Sequence, residues 1–210
     1  MCDLGCRGCY APNLISTRST TELVDARPEL FLSEDKLQQA LDKIACQRAG
    51  FSFSAAVRGG EPSLHPNLAQ LFRRLTTVAH PVYLETHGRW VGVRDTEVLR
   101  VCSRLGIVLK VSFDSMHCIS SQELLRICDA ADAQCVHYLV AITEPSEHDF
   151  RETRDKCRWI PDERIVVQRK ATVSAQLIQP KLGVLTPNGN LAAGLSVRQE
   201  FVFPLAELLT

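Results

Sequence analysis

The chain has 210 residues, with 24 Lys and Arg against 24 Asp and Glu, so its net charge is zero. That balance gives no bulk attraction to nucleic acid or to an anionic membrane surface, and no apolar run approaches the roughly 18 residues that a membrane-spanning helix needs. There are nine cysteines, an odd number, six of them scattered beyond the first ten residues, and no room for a signal peptide before Cys2. This usage fits a reducing compartment, the cytoplasm, better than a disulfide framework.

The chain opens Met1-Cys2-Asp3-Leu4-Gly5-Cys6-Arg7-Gly8-Cys9-Tyr10, three cysteines at C-x3-C-x2-C spacing with two glycines among them. Glycine lets a loop fold back on itself so that three sulfurs converge, and thiolates are soft ligands that suit zinc or an iron–sulfur cluster. No further cysteine or histidine follows closely; the next cysteine is Cys46, inside a predicted helix. A structural zinc site takes four ligands, whereas three leave one coordination position open for chemistry. On these residues alone, a zinc loop and a fortuitous cluster both stay open.

Residues 11–32 are polar and irregular and read as one long loop. A helix follows, with Ser33 as N-cap, Glu34 and Asp35 in the first turn, Leu37, Leu41, Ile44 and Ala45 at helical spacing, and Gly50 as its stop. Strand–helix units then repeat. The strands run over Phe51–Val57, Val82–Thr86, Ile107–Phe113, Val136–Ile142 and Ile165–Gln168. Helices fall between them: from about Pro66 with Leu68, Leu71, Phe72 and Leu75 on one face, over Asp95–Arg104, over Gln122–Gln134, and more weakly after Ser146. Starts at 51, 81, 107, 136 and 164 lie 30, 26, 29 and 28 residues apart, the near-constant period of successive right-handed βα units in a parallel sheet. In the tail, Asn188-Gly189 between apolar arms near Leu182–Leu185 and Leu191 signals a hairpin, and Phe201–Leu205 reads as a further strand with a short helix after Pro204.

The expected fold class is therefore α/β, a partial (β/α)6 TIM-like barrel of parallel strands over residues 1–170, with a C-terminal extension over 171–210 built on a short β-hairpin. The first barrel strand is missing, because only Met1 precedes Cys2; either the chain is truncated or it leaves one sheet edge unpaired.

Three loops at the carboxyl ends of strands hold the candidate chemistry, which is where parallel sheets bind ligands. Arg58-Gly59-Gly60-Glu61-Pro62 follows the first strand. Its glycines admit a ligand to the backbone, Glu61 can accept from an ammonium, and Pro62 fixes the exit. A tight βα turn accounts for the same residues. Glu85-Thr86-His87-Gly88 and Val111-Ser112-Phe113-Asp114-Ser115 end the next two strands. Lys110, Ser112 and Asp114 alternate along one strand and so share a face, with capping of the next helix as the other reading of Asp114.

The cysteine spacing and the run Gly59-Gly60-Glu61-Pro62-Ser63-Leu64-His65-Pro66 together resemble the radical S-adenosylmethionine (radical SAM) superfamily, in style closest to its peptide-modifying, SPASM-type members. Thr86-His87-Gly88 is similar to the family's Thr-Asn-Gly turn, and Ser112-Phe113-Asp114-Ser115 to its Ser-hydrophobic-Asp-Gly/Ser motif. The resemblance implies that Cys2, Cys6 and Cys9 hold a [4Fe-4S] cluster and are the catalytic ligands. It further implies that Tyr10, Gly59, Gly60, Glu61, Pro62, Thr86, Lys110, Ser112 and Asp114 bind S-adenosyl-L-methionine, the Gly-Gly-Glu-Pro motif meeting its amino group. The implied reaction is reductive cleavage of S-adenosylmethionine to methionine and a 5′-deoxyadenosyl radical, which abstracts hydrogen from a substrate, a peptide or a small metabolite. An electron donor such as flavodoxin or ferredoxin is implied as partner, with no nucleic acid and no membrane. Three departures stand out. Gly8 replaces the bulky residue that packs on adenine in relatives, and Ile165–Gln168 lacks a glycine-rich adenine contact. The cysteine that relatives carry after a Thr186-Pro187-Asn188-Gly189-like turn is absent, Ala192 and Ala193 standing nearby, so no auxiliary cluster is expected. The rival reading is a non-catalytic or degenerate iron–sulfur protein that acts as a binding partner. His137 and His148 read as satisfied polar residues, and Cys118, Cys128, Cys135 and Cys157 as buried structural thiols.

Overall fold

The computed structural model describes residues 31–47, 53–92, 95–144, 146–167, 183–185 and 191–193. Helix α1 (Glu34–Gln47) starts where the sequence places it. Ser33 Oγ accepts from the Lys36 N–H at 3.3 Å, and the Ser33 carbonyl from the Leu37 N–H at 3.0 Å, which is the N-cap pattern. Leu37 and Leu41 bury themselves against Leu71.

Five parallel strands follow: β1 (Phe53–Val57), β2 (Ala79–Thr86), β3 (Val108–Ser112), β4 (Tyr138–Ile142) and β5 (Ile165–Val167). Between them lie α2 (Leu68–Leu75), α3 (Asp95–Leu105), α4 (Ser121–Ala133) and α5 (Glu147–Lys156). Spatial order equals chain order, β1-β2-β3-β4-β5, and every pairing is parallel. A sequential all-parallel order with a helix between successive strands is one arc of a β/α barrel.

Strand alternation separates two faces. Val82, Leu84, Leu109, Val111, Val140 and Ile142 turn one way and pack with Phe72, Leu99, Leu124 and Ile127 into the main core. Tyr83, Glu85, Val108, Lys110, Ser112 and Leu139 turn the other way and stay half-buried. This second face is the concave side of the arc.

Two boundaries differ from the sequence reading. β2 begins at Ala79, ahead of a proline that argues against a continuous strand. The pairing resolves this: Phe53 faces Ala79 and Ala55 faces Val82, so His80 and Pro81 occupy an irregularity opposite Ser54. A bulge is one of the few places where a sheet tolerates proline, which has no N–H for the ladder. A short 3₁₀ turn, Pro62–Leu64, also stands between β1 and α2, and the sequence periodicity gave no sign of it.

The expected antiparallel pair is present, β6 (Gly183–Leu185) with β7 (Leu191–Ala193), and the Asn188-Gly189 turn lies outside the described residues. The proposed 170/171 boundary, the first-strand question and the Phe201–Leu205 element lie outside the described residues. No helix among the described residues is long and apolar enough to cross a membrane.

The cysteines divide. Cys102, Cys128 and Cys157 are buried free thiols, and burial pushes the Cys102 and Cys128 thiols up to about 12. Cys118 and Cys135 were expected to be buried and are instead exposed. Both sit at turn positions with positive φ, +51° and +53°, beyond the helix and strand positions that pack the core.

Candidate functional site

The loop after β1 arrives at the carboxyl edge of the sheet. Gly59 has φ +151°, a conformation that L side chains rarely adopt, and a Cβ placed there would meet nothing within 4 Å. Among the described residues, glycine is therefore required by the backbone rather than by crowding.

Glu61 is buried, 3% exposed, and its carboxylate faces inward. Oε1 accepts from the Ser63 N–H at 3.0 Å and from the Thr86 hydroxyl at 2.8 Å. Oε2 lies 2.8 Å from the same hydroxyl and accepts from the His87 N–H at 3.1 Å, with His87 Nε2 also 3.1 Å away. Pro62 is buried at the first position of the 3₁₀ turn. The motif thus forms a rigid corner bolted to the end of β2.

Thr86 lies on the core side of β2. Its hydroxyl donates to Glu61 and accepts from the Gly88 N–H at 2.9 Å and from Trp90 Nε1–H at 2.8 Å. Gly88 has φ +75°, and a Cβ there would come within 2.7 Å of Ile127 Cδ1, so this turn needs glycine for both conformation and space.

On the concave face, Lys110 does meet a carboxylate, and it is one within the protein. Lys110 Nζ lies 2.8 Å from Glu85 Oε1, the residue directly across the β2–β3 ladder. Arg58 Nε lies 3.3 Å from Glu85 Oε2 from the other side. Two cations flank one carboxylate in a row across three neighbouring chain segments, beside Ser112. The sequence reading singled out Lys110 but missed Glu85 and Arg58; the signal available was that each stands at the same level of adjacent βα units.

Asp114 is placed differently from its expected neighbour. β3 ends at Ser112, and Phe113 enters the core, so Asp114 lies beyond the strand and the shared-face argument does not reach it. Its Oδ1 accepts from the Met116 N–H at 2.9 Å, the His117 N–H at 3.1 Å and His117 Nδ1 at 2.8 Å, which closes the turn over residues 115–118; the next helix is capped by Ser120, not by Asp114. Its buried Oδ2 has no hydrogen-bond partner among the described residues. Next to it, Glu144, missed by the sequence reading, binds the Ser115 N–H and hydroxyl and the Thr153 hydroxyl at 2.7–2.9 Å.

Cys2, Cys6, Cys9 and Tyr10 lie outside the described residues. Among the described residues, no group of three or more His, Cys, Asp or Glu side chains is arranged to hold a metal ion. Gly59, Gly60, Lys110 and Ser112 lie at the same edge and face of the sheet, whereas Glu61, Pro62, Thr86 and Asp114 are turned into the protein.

No family model matches the sequence, and no curated protein matches it. Solved structures do. Native anSMEcpe with bound AdoMet (S-adenosylmethionine) aligns with a TM-score of 0.56 at 15% identity, over 80% of this chain and 48% of that one. The same protein with AdoMet and the Kp18Cys peptide aligns at 0.54 and 16%, over 80% and 48%. Its histidine-tagged form with AdoMet aligns at 0.53 and 14%, over 80% and 46%. This chain spans about half the length of those solved chains. At such identity the likeness is one of fold: the chain shares its fold with a protein solved with AdoMet bound.

Proposed function

We propose that this chain is a radical SAM enzyme that binds S-adenosylmethionine at the carboxyl edge of its parallel sheet. The observation that carries the reading is the position of Gly59-Gly60. A glycine pair whose first member takes φ +151° stands at the end of the first described strand, in a fold shared with AdoMet-bound anSMEcpe. The residues present fit that ligand. Backbone carbonyls of Gly59 and Gly60 would accept from its ammonium, and Lys110 with Ser112 would offer donors to its carboxylate. Glu61, Pro62 and Thr86 hold the loop that presents those groups.

Cys2, Cys6 and Cys9 would hold the [4Fe-4S] cluster, and Tyr10 follows the third ligand. A cluster held there, reduced by the electron donor, would supply the one electron that reductive cleavage of the sulfonium needs, the chemistry that leads to hydrogen abstraction from a substrate. The protein's part is to bind, orient and keep water out. A peptide is the favoured substrate, supported by Cys9-Tyr10 and by the Kp18Cys peptide that anSMEcpe was solved with. Flavodoxin or ferredoxin is the proposed electron donor.

Anaerobic reconstitution with iron and sulfide tests the ligand assignment. Wild-type protein should gain broad absorbance near ~400 nm, as thiolate-bound iron clusters do, and Cys6→Ala should not. Equal absorbance in the two would remove the cluster from the first loop.

A further inference from the structure

Glu61 is the charged residue of the loop that meets the ligand in the reading above, yet its surroundings commit it elsewhere. Its two oxygens collect donors from Ser63, Thr86 and His87, and the last two belong to the end of β2 and its turn. The Thr86 hydroxyl has one proton and two lone pairs. The proton is shared between the two carboxylate oxygens, and both lone pairs are occupied, by Gly88 N–H and Trp90 Nε1–H. To reach a ligand, the Glu61 carboxylate would have to give up the Ser63 N–H, the Thr86 hydroxyl and the His87 N–H that hold it in a buried site.

His87 completes the arrangement. Its Nδ1 lies 3.0 Å from the Arg89 N–H, a contact that requires Nδ1 to accept. The pairing therefore assigns the ring proton to Nε2, which faces Glu61 Oε2 at 3.1 Å. An asparagine at this position, as in the Thr-Asn-Gly turn, would place Oδ1 where Nδ1 stands and keep the Arg89 contact. Its amide nitrogen would stop short of the Nε2 position, and the carboxylate would lose the ring nitrogen that stands 3.1 Å from it. Histidine here reaches both the turn and the carboxylate.

We infer that Glu61 and His87 are positioning residues, which clamp the Gly59-Gly60 loop to the β2 turn without touching the ligand themselves. This deepens the S-adenosylmethionine reading and rests on it for the identity of the ligand.

The test is a double-mutant cycle on cluster-loaded, unreduced protein, with S-adenosylmethionine affinity measured by equilibrium dialysis and the unfolding midpoint measured in parallel. If the clamp acts on the loop, His87→Leu weakens binding at least tenfold with the Glu61 side chain still present. Glu61→Gln/His87→Leu is then within twofold of the weaker single variant, because both break one unit. His87→Asn, which keeps the Arg89 contact, falls between wild type and His87→Leu. If Glu61 instead binds the ligand directly, His87→Leu stays within twofold of wild type and the Glu61→Gln loss adds in full, which overturns the proposal.

Ile160→Ala separates positioning from bulk stability. Ile160 is buried at the opposite end of the sheet, where α5 returns toward β5. Its variant should lower the midpoint as much as His87→Leu does while leaving affinity within twofold. An equal loss of affinity in Ile160→Ala overturns the positioning role. Wild-type protein that binds no S-adenosylmethionine would sink the functional reading and not the clamp. The same cycle read on unfolding midpoints then decides the clamp: coupling between Glu61→Gln and His87→Leu supports it, and additivity overturns it.

Discussion

Replacing Thr86 by valine deletes one hydroxyl and keeps the side chain's shape, so its cost can be worked from the contacts. Thr86 is 3% exposed, and water does not take over the lost bonds. Gly88 N–H and Trp90 Nε1–H lose their acceptor, and Glu61 loses the donor shared between its oxygens. A buried donor left unpaired costs ~1–3 kcal/mol and a hydrogen bond to a charged group contributes ~1.5–3 kcal/mol. Partial relaxation and the buried methyl offset some of this, so the expected loss is about 3–5 kcal/mol. Against the ~5–15 kcal/mol that holds a typical domain folded, that is a large share. The assay is urea unfolding followed by tryptophan emission, which reports chiefly on buried Trp90, since Trp159 is 41% exposed. At a slope of about 2 kcal/mol per molar urea, the midpoint should fall by ~1.5–2.5 M. Thr86→Ser keeps the hydroxyl and loses one methyl, at a cost of about 1 kcal/mol. A Thr86→Val midpoint within ~0.5 M of wild type, or equal to that of Thr86→Ser, would refute the network's energetic role.

Gly88→Ala should destabilise by about 2–4 kcal/mol, from the positive φ and from the collision with Ile127. Adding Ile127→Val removes the clashing Cδ1, so the double variant should unfold at higher urea than the sum of the singles allows. Ser120→Ala removes the capping box that starts α4 and should cost about 1 kcal/mol near neutral pH. The Ser120 N–H, the Ser120 hydroxyl and then Arg89 hold the Glu123 carboxyl below its usual range. Its contribution is therefore complete above the ordinary glutamate value of about 4.3 and fades as pH falls below it, so the Ser120→Ala penalty should shrink near pH ~3. Burial holds His65 below its usual value, against the opposing pull of the Leu32 carbonyl. The unfolded chain takes up that proton near pH ~6.5 while the folded chain resists it, so stability is full above that pH and drops below it. His65→Gln should flatten the difference between unfolding midpoints at pH 7.5 and 5.5, allowing about 1 kcal/mol for the lost Leu32 and Asn67 contacts.

The parallel α/β arc was legible because βα units impose a period, and the starts near 51, 81, 107, 136 and 164 kept it. Individual ends were less so. Pro81 marks a strand end by every local rule, yet a bulge opposite Ser54 absorbs it, and bulges follow from partner register rather than from one segment's composition. The loop holding Gly59-Gly60 was visible for the same reason as the sheet, since it directly follows a strand. What Glu61 does was not, because its partners stand some 25 residues away and depend on how β1 and β2 align. The Arg58–Glu85–Lys110 row likewise exists only once Glu85 faces Lys110 across the ladder. Asp114 shows the limit of alternation: the rule that placed it beside Ser112 holds inside a strand, and β3 had already ended.

Cleavage of S-adenosylmethionine by this chain can be measured directly under anaerobic conditions. Protein reconstituted with iron and sulfide is mixed with dithionite and S-adenosylmethionine, and 5′-deoxyadenosine is quantified by chromatography. A radical SAM enzyme should yield 5′-deoxyadenosine as wild-type protein and none above background as Cys6→Ala. Folded, cluster-loaded wild-type protein that yields none would contradict the proposed activity.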